Sequence, residues 1–323
     1  DSARFDRWER EGAVEHLAMD GTNGYFNHVA GNLFRVHPEA RALLAARSNG
    51  RPPVPEQRLA NVRQILRGWD ESGARLNSRK RFRVSYTLTV KPGMVPAGET
   101  IRAWLPFPQT GGRQQEVRWV ASDPPVFLRW PEDANLSSIY LEKVSQGLAP
   151  TPFQVMFEYS ASGFHCPIDP DRIEPADPNS ASRQYLGERP PHIVFDEPLR
   201  TLSRTVVGAE TNSYRVARRI FQWVHENIPW ASAREYSTLD SLTRYALAHR
   251  QGDCGIQTML FMSLCRLNGI PARWESGWTT GPEKNLHDWC AIHLAPYGWV
   301  PVDVSYGLMP SADEREKWFY LGS

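Results

Sequence analysis

Residues 252–274 read GDCGIQTMLFMSLCRLNGIPARW. Gly252-Asp253 makes a turn, an apolar run follows, Asn268-Gly269 closes it as a left-handed C-cap, and a strand-like run begins after Ile270. The stretch therefore predicts turn, helix, turn and strand, with Cys254 as the first residue of the helix. A thiol that only filled the core would serve equally well in mid-helix. Cys254 instead lies where backbone N–H groups lack partners and the helix dipole is positive, an environment that favours a thiolate. That placement makes it a candidate nucleophile.

Working outward, NSYRVARRIFQWVHENI (212–228) carries Val216, Ile220, Trp223 and Val224 at helical spacing, and Pro229 ends it. Ser237 reads as the N-cap of a further helix over TLDSLTRYALAHR, with Asp240 as its acidic box partner. Downstream, DWCAIHL and WVPVDV read as strands joined through APYG (295–298), a hairpin. A nucleophilic thiol needs a base beside it and a third group that orients the base. The chain supplies His287 and Asp303 in that order.

Register decides whether those two can meet. An even loop pairing Ala295 with Gly298 sets Cys290 opposite Asp303, which then points away from His287. A loop of three or five residues, or an equivalent bulge, sets Trp289 opposite Asp303. His287 and Asp303 then become diagonal neighbours on one face, roughly 7–8 Å apart at the backbone. The odd loop is expected.

Residues 1–78 read as a helical segment, with EQRLANVRQILRGWDES presenting Leu59, Val62, Ile65 and Leu66 as a stripe after the Pro-rich loop 48–56. Residues 79–165 read as an antiparallel sandwich. RFRVSYTLTV alternates Phe82, Val84, Tyr86, Leu88 and Val90 against polar residues, and IRAWLPFP and FQVMFEYS repeat the pattern. Residues 166–198, rich in Pro, Asp and Arg, read as a surface connector in which His192 has no assigned role. Residues 199–323 form the domain that contains Cys254.

The 323 residues carry a net charge of +1, which gives no electrostatic case for a nucleic-acid partner. No 18-residue apolar run is present, so no membrane-spanning helix is expected. Four cysteines without a C-x-x-C indicate neither a disulfide scaffold nor a zinc site. No EF-hand loop occurs, and metal-independent chemistry without a cofactor is expected. Cys265 lies three turns beyond Cys254, some ~16 Å along the helix, too far to share its site. Cys290 sits among apolar neighbours. Both, with Cys166, are read as structural. A start at Asp1 rather than Met fits a mature periplasmic or secreted protein whose signal peptide has been removed.

The stretch from Gly252 to Arg273 resembles the signature of the transglutaminase-like superfamily, within the papain-like cysteine enzymes. The corresponding residues are Gly252, Cys254, Leu260-Phe261, Arg266 and Gly269-Ile270-Pro271-Ala272-Arg273, followed by His287-Asp288-Trp289 and Gly298-Trp299-Val300-Pro301-Val302-Asp303. The resemblance covers about residues 200–310, and the strand-rich part before it is similar to what precedes this core in some exported bacterial members. It implies an α+β fold, a papain-like/transglutaminase-like core preceded by an antiparallel β-sandwich and an N-terminal helical segment. It also implies Cys254 as nucleophile, His287 as base and Asp303 as orienter, with Trp230 as oxyanion candidate beside the Cys254 N–H. The activity implied is acyl chemistry on amide bonds through a thioester. Hydrolysis of peptides or cell-wall peptide cross-links is the favoured form, and protein-glutamine γ-glutamyl transfer the alternative. A non-catalytic binding module, using the sandwich, is the reading from another class.

Overall fold

The computed structural model of the chain describes residues 2–48, 56–129, 137–177, 179–279 and 286–323. Most of the Pro-rich loop expected at 48–56 lies outside the described residues. The fold is α+β and divides into two compact units, residues 61–165 and residues 1–60 with 166–323. The segment expected to form an N-terminal helical block over 1–78 is thus split at Ala60, within the helix Glu56–Ser72.

Residues 61–165 contain two three-stranded antiparallel sheets. One orders Leu76–Val90, Thr151–Phe164 and Gln114–Asp123, the other Thr100–Pro106, Ser138–Val144 and Leu128–Arg129. Alternation along the strands buries Phe153, Val155 and Phe157 from the first sheet and Ala103, Leu105, Ile139 and Leu141 from the second. The Phe107 and Phe157 rings meet edge to face at 5.1 Å between the layers.

In the other unit, the N-terminal residues are not helical throughout. A short hairpin pairs Leu17–Met19 with Thr22–Gly24, and helices Ser2–Arg10, Val29–Val36 and Pro38–Ser48 flank it. Asp20 and Gly21 both take positive φ in its turn, which a helix cannot accommodate. Trp8, Val14, Leu33 and Ala40 make a small core of their own.

The centre of this unit is the helix Cys254–Leu267, buried from Gly255 to Arg266 apart from half-buried Met259. An apolar sequence all round the helix has this consequence: it must be enclosed on every side. Helices Glu197–Val207, Ser213–Asn227 and Leu242–His249 enclose it with the strands Ala272–Trp278 and Leu286–Leu294. Most of its buried polar groups are matched, the Gln257 Oε1 atom excepted. Gln257 Nε2 donates to the Ile228 carbonyl at 2.7 Å, and Ser263 Oγ donates to the Met259 carbonyl at 2.8 Å. Arg266, 7% exposed, reaches the Ala272 carbonyl through Nε and Nη2 and the Gly187 carbonyl through Nη1. One residue so ties the helix end to the following strand and to the 166–198 segment.

The helix expected to start at Ser237 begins a turn later. Residues Tyr236–Thr238 form a 3₁₀ turn, and Ser241 caps Leu242–His249 by accepting from the Arg244 N–H. Burial of Leu239 and Leu242 sets this entry angle. His192 finds a place here too, with Nδ1 accepting from the Leu242 N–H at 3.4 Å.

Candidate active site

The sharp turn ahead of Cys254 is built by Asp253. Its Oδ1 accepts from the Ile256 N–H at 3.1 Å and from the Tyr236 hydroxyl at 2.6 Å. The two glycines follow from close packing. A Cβ on Gly255 would collide with the Tyr236 hydroxyl, and one on Gly252 with the Ile256 side chain. Cys254 is thereby fixed at the helix start, half-buried, while Cys166, Cys265 and Cys290 are buried. Burial pushes the Cys265 and Cys290 thiols up. All four are free thiols.

The strand Leu286–Leu294 lies between Ala272–Trp278 and Gly298–Val302 in an antiparallel meander. Leu294 pairs with Gly298, so the connecting loop has three residues, Ala295 to Tyr297. The odd loop continues a register that sets Trp289 opposite Asp303. His287 Nε2 and Asp303 Oδ2 then close to 2.6 Å, with side chains only 13% and 14% exposed. Burial works against an imidazolium here. Hydrogen bonds with Asp303 and Cys254 outweigh it and push His287 up to about 10. With Nε2 held by Asp303, Nδ1 is left for the thiol, and these bonds favour the imidazolium form.

Aromatic rings hold the imidazole in place. Trp289 stacks at 6.0 Å between centroids and Tyr306 lies at 5.1 Å. Trp289 is itself fixed by donating Nε1–H to Glu275 at 2.8 Å. Periodicity on the strand foreshadows Trp289. Tyr306 lies beyond the last strand and carried no sequence signal.

Trp230 is placed beside the turn that precedes Cys254 through its backbone. It bridges Gly252 in parallel fashion, and the Ala231 N–H donates to the Gly252 carbonyl at 3.0 Å. The residue is 36% exposed, with the Arg35 guanidinium 4.3 Å above its ring. The N-terminal segment grips the same loop elsewhere. Asn32 and Ser232 exchange two hydrogen bonds, Asn32 Nδ2 to the Ser232 carbonyl at 2.7 Å and the Ser232 N–H to Asn32 Oδ1 at 2.8 Å. Glu15 accepts from the Tyr245 hydroxyl and pairs with Arg234. The distance from Arg35 to Trp230 in sequence hides this contact from any periodicity argument.

One residue was passed over in the sequence. Asp288, the middle residue of His-Asp-Trp, has Oδ2 3.8 Å from the Cys254 sulfur, with the S–H as donor. Its backbone carbonyl accepts from Thr258 Oγ1 at 3.3 Å, one helical turn beyond Cys254. Among the described residues no group of three or more His, Cys, Asp or Glu side chains is arranged to hold a metal ion.

A cysteine at the N-terminus of a buried helix, facing a His–Asp pair on an antiparallel sheet, defines the papain-like arrangement. Residues 200–304 match the family model of the transglutaminase-like superfamily. Among solved structures, the chain is similar to a protein of Cytophaga hutchinsonii described as a "putative cysteine protease". The identity is 15% over 71% of this chain and 78% of that one, with a TM-score of 0.57. It is also similar to the periplasmic domain of TgpA from Pseudomonas aeruginosa, at 16% identity over 67% and 75% of the two chains and a TM-score of 0.37. Among curated proteins no sequence match is found. No described helix is long and apolar enough to cross a membrane.

Proposed function

We propose that the protein is a cysteine hydrolase that cleaves amide bonds of peptides, cell-wall peptide cross-links included, with Cys254 as nucleophile, His287 as acid and base, and Asp303 as orienter. The observation that carries the reading is the 2.6 Å bond between His287 Nε2 and Asp303 Oδ2, with Cys254 as the ring's other partner. Cross-links of the cell wall would place its work outside the cytoplasm.

The steps follow from these groups. Asp303 holds the ring and stabilises its positive charge. The Cys254 thiolate attacks the substrate carbonyl carbon, and the developing oxyanion is met by the Cys254 N–H at the helix start, with Trp230 as the second candidate donor. The C–N bond breaks, His287 gives its proton to the leaving amine, and a thioester remains on Sγ. His287 then takes a proton from water, whose oxygen attacks the thioester. The carboxylic acid leaves and the thiolate–imidazolium pair is restored.

The test is alkylation of the folded protein by iodoacetamide, read by mass spectrometry at each cysteine, followed by product analysis on peptide substrates with and without an added primary amine. Rapid labelling confined to Cys254, with an acid product, is expected. Labelling of Cys254 no faster than of the buried thiols would overturn the nucleophile. A new amide in the presence of amine would move the reading to acyl transfer. A reactive thiol without turnover on any substrate would favour a binding module.

A further inference from the structure

His287 and Asp288 are neighbours on one strand, so their side chains leave it on opposite faces. Both nevertheless reach Cys254, His287 as its hydrogen-bond partner and Asp288 with Oδ2 3.8 Å from Sγ. The helix-facing side of the strand carries Asp288, Cys290 and Ile292, and the last two are fully buried. A carboxyl group there is costly unless a cation answers it. Among the described residues no lysine or arginine pairs with Asp288. A half-buried carboxyl against a thiol, with the His287 imidazole rather than a lysine or arginine as the group that favours its charge, is a functional arrangement rather than a stabilising one.

We propose that Asp288 is a positioning residue for the nucleophile, whose charge sets the pH range in which the Cys254–His287 ion pair forms. The proposal rests on the reading of Cys254 as nucleophile. As a neutral acid, Asp288 donates its O–H to the sulfur and stabilises the thiolate. As a carboxylate, it repels the thiolate and accepts the S–H bond instead, holding the sulfur in its neutral form. The groups that face Asp288 act in opposite directions. His287, from its own strand, and Cys254, from the nucleophile helix, favour the charged carboxylate. Asp253 from the helix cap and Asp303 from beyond the next strand oppose it. Tyr236, from the 3₁₀ turn, senses both Asp253 and Asp288. Burial is the largest influence and, with Asp253, pushes Asp288 up to about 6, inside the range where an exported or cytoplasmic enzyme works.

The experiment compares the iodoacetamide rate at Cys254 in the wild type and in Asp288→Asn from pH 4.5 to 8.5, with thermal melting to confirm folding. The Asn side chain keeps an N–H donor for the sulfur and cannot ionise. The two rates should coincide below pH 5, and the variant should become about tenfold faster near pH 7, the effect of one pKa unit on the thiolate. A rate ratio that stays flat with pH, or a variant slower throughout, would overturn the proposal. Asp288→Ser is read by the same ratio if the Asn variant does not fold. A wild-type Cys254 that is unreactive at every pH would instead sink the nucleophile itself, an outcome distinct from a flat ratio.

Discussion

His287 and Asp303, 16 residues apart in sequence, share a 2.6 Å hydrogen bond because the hairpin between them turns in three residues. Asp303 also caps the turn that follows, its Oδ1 accepting from the Ser305 N–H at 3.2 Å. Asp303→Asn can keep that turn while losing the charge that supports the imidazolium. Turnover should fall by about 10³ to 10⁴, as expected when a triad carboxylate is neutralised without loss of geometry. Steady-state kinetics of the variant against a cleavable peptide would check it, and a loss below tenfold would remove Asp303 from the mechanism.

The same pair makes stability depend on pH. His287 is raised from 6.5 to about 10 on folding, so the folded state binds its proton more tightly than the unfolded state does. Its contribution is fully present below pH 6.5 and is lost as pH rises through about 10. The difference in unfolding free energy between wild type and His287→Gln should therefore shrink across that window. Denaturant titrations at pH 6, 8 and 10 would show it, and a difference constant over that range would contradict the assignment.

Much of this site was legible because its parts are local. Gly252, Asp253 and Cys254 announce a helix start, Asn268-Gly269 its end, and the odd hairpin loop follows from requiring His287 and Asp303 to share a face. The sandwich strands were legible for a similar reason, since alternation along Phe153, Val155 and Phe157 is a two-residue period. What escaped depends on contacts between distant segments. Asp288 sits off the face that register arguments selected, and its meeting with Cys254 depends on how the helix packs across the strand. Tyr306 approaches His287 from an irregular stretch. The hairpin at residues 17–24 is three residues per strand, too short for a period to register, and the cap at Ser241 rather than Ser237 was decided by which leucines found the core.

Gly255 tests the packing logic beside Cys254. Its α-carbon lies against the Tyr236 hydroxyl, which in turn donates to the helix cap Asp253. Gly255→Ala raises helix propensity but forces Tyr236 away, breaking a buried bond to a carboxylate. Overpacking of this kind costs about 1–3 kcal/mol, larger than the ~1 kcal/mol gained from the better helix former. The variant should be less stable, and its Cys254 alkylation should slow. Tyr236→Phe combined with Gly255→Ala should recover part of the stability, because it removes the worst contact, that with the hydroxyl, although the ring carbons at 2.7 and 2.9 Å must still shift. Chemical denaturation of the three variants decides it, and a stabilised Gly255→Ala would show that Tyr236 yields freely.

The loop carrying Trp230 depends on a residue some 200 positions earlier. Asn32 is 4% exposed and both ends of its amide are used, one as donor to the Ser232 carbonyl and one as acceptor from the Ser232 N–H. Truncation in Asn32→Ala removes both bonds and leaves the backbone of Ser232 without its partners, worth about 1–3 kcal/mol. Asn32→Asp keeps the acceptor, so the Ser232 N–H remains bonded. It also places a carboxylate oxygen against the Ser232 carbonyl, a repulsive pair that gives back what the retained bond contributes. Both variants should therefore destabilise the protein, but they separate in hydrogen exchange. The Ser232 amide should lose protection in Asn32→Ala and keep more of it in Asn32→Asp. Equal protection in the wild type and Asn32→Ala would mean that the loop is held by Arg234 with Glu15 and by Arg35 against Trp230, and that Asn32 only fills space.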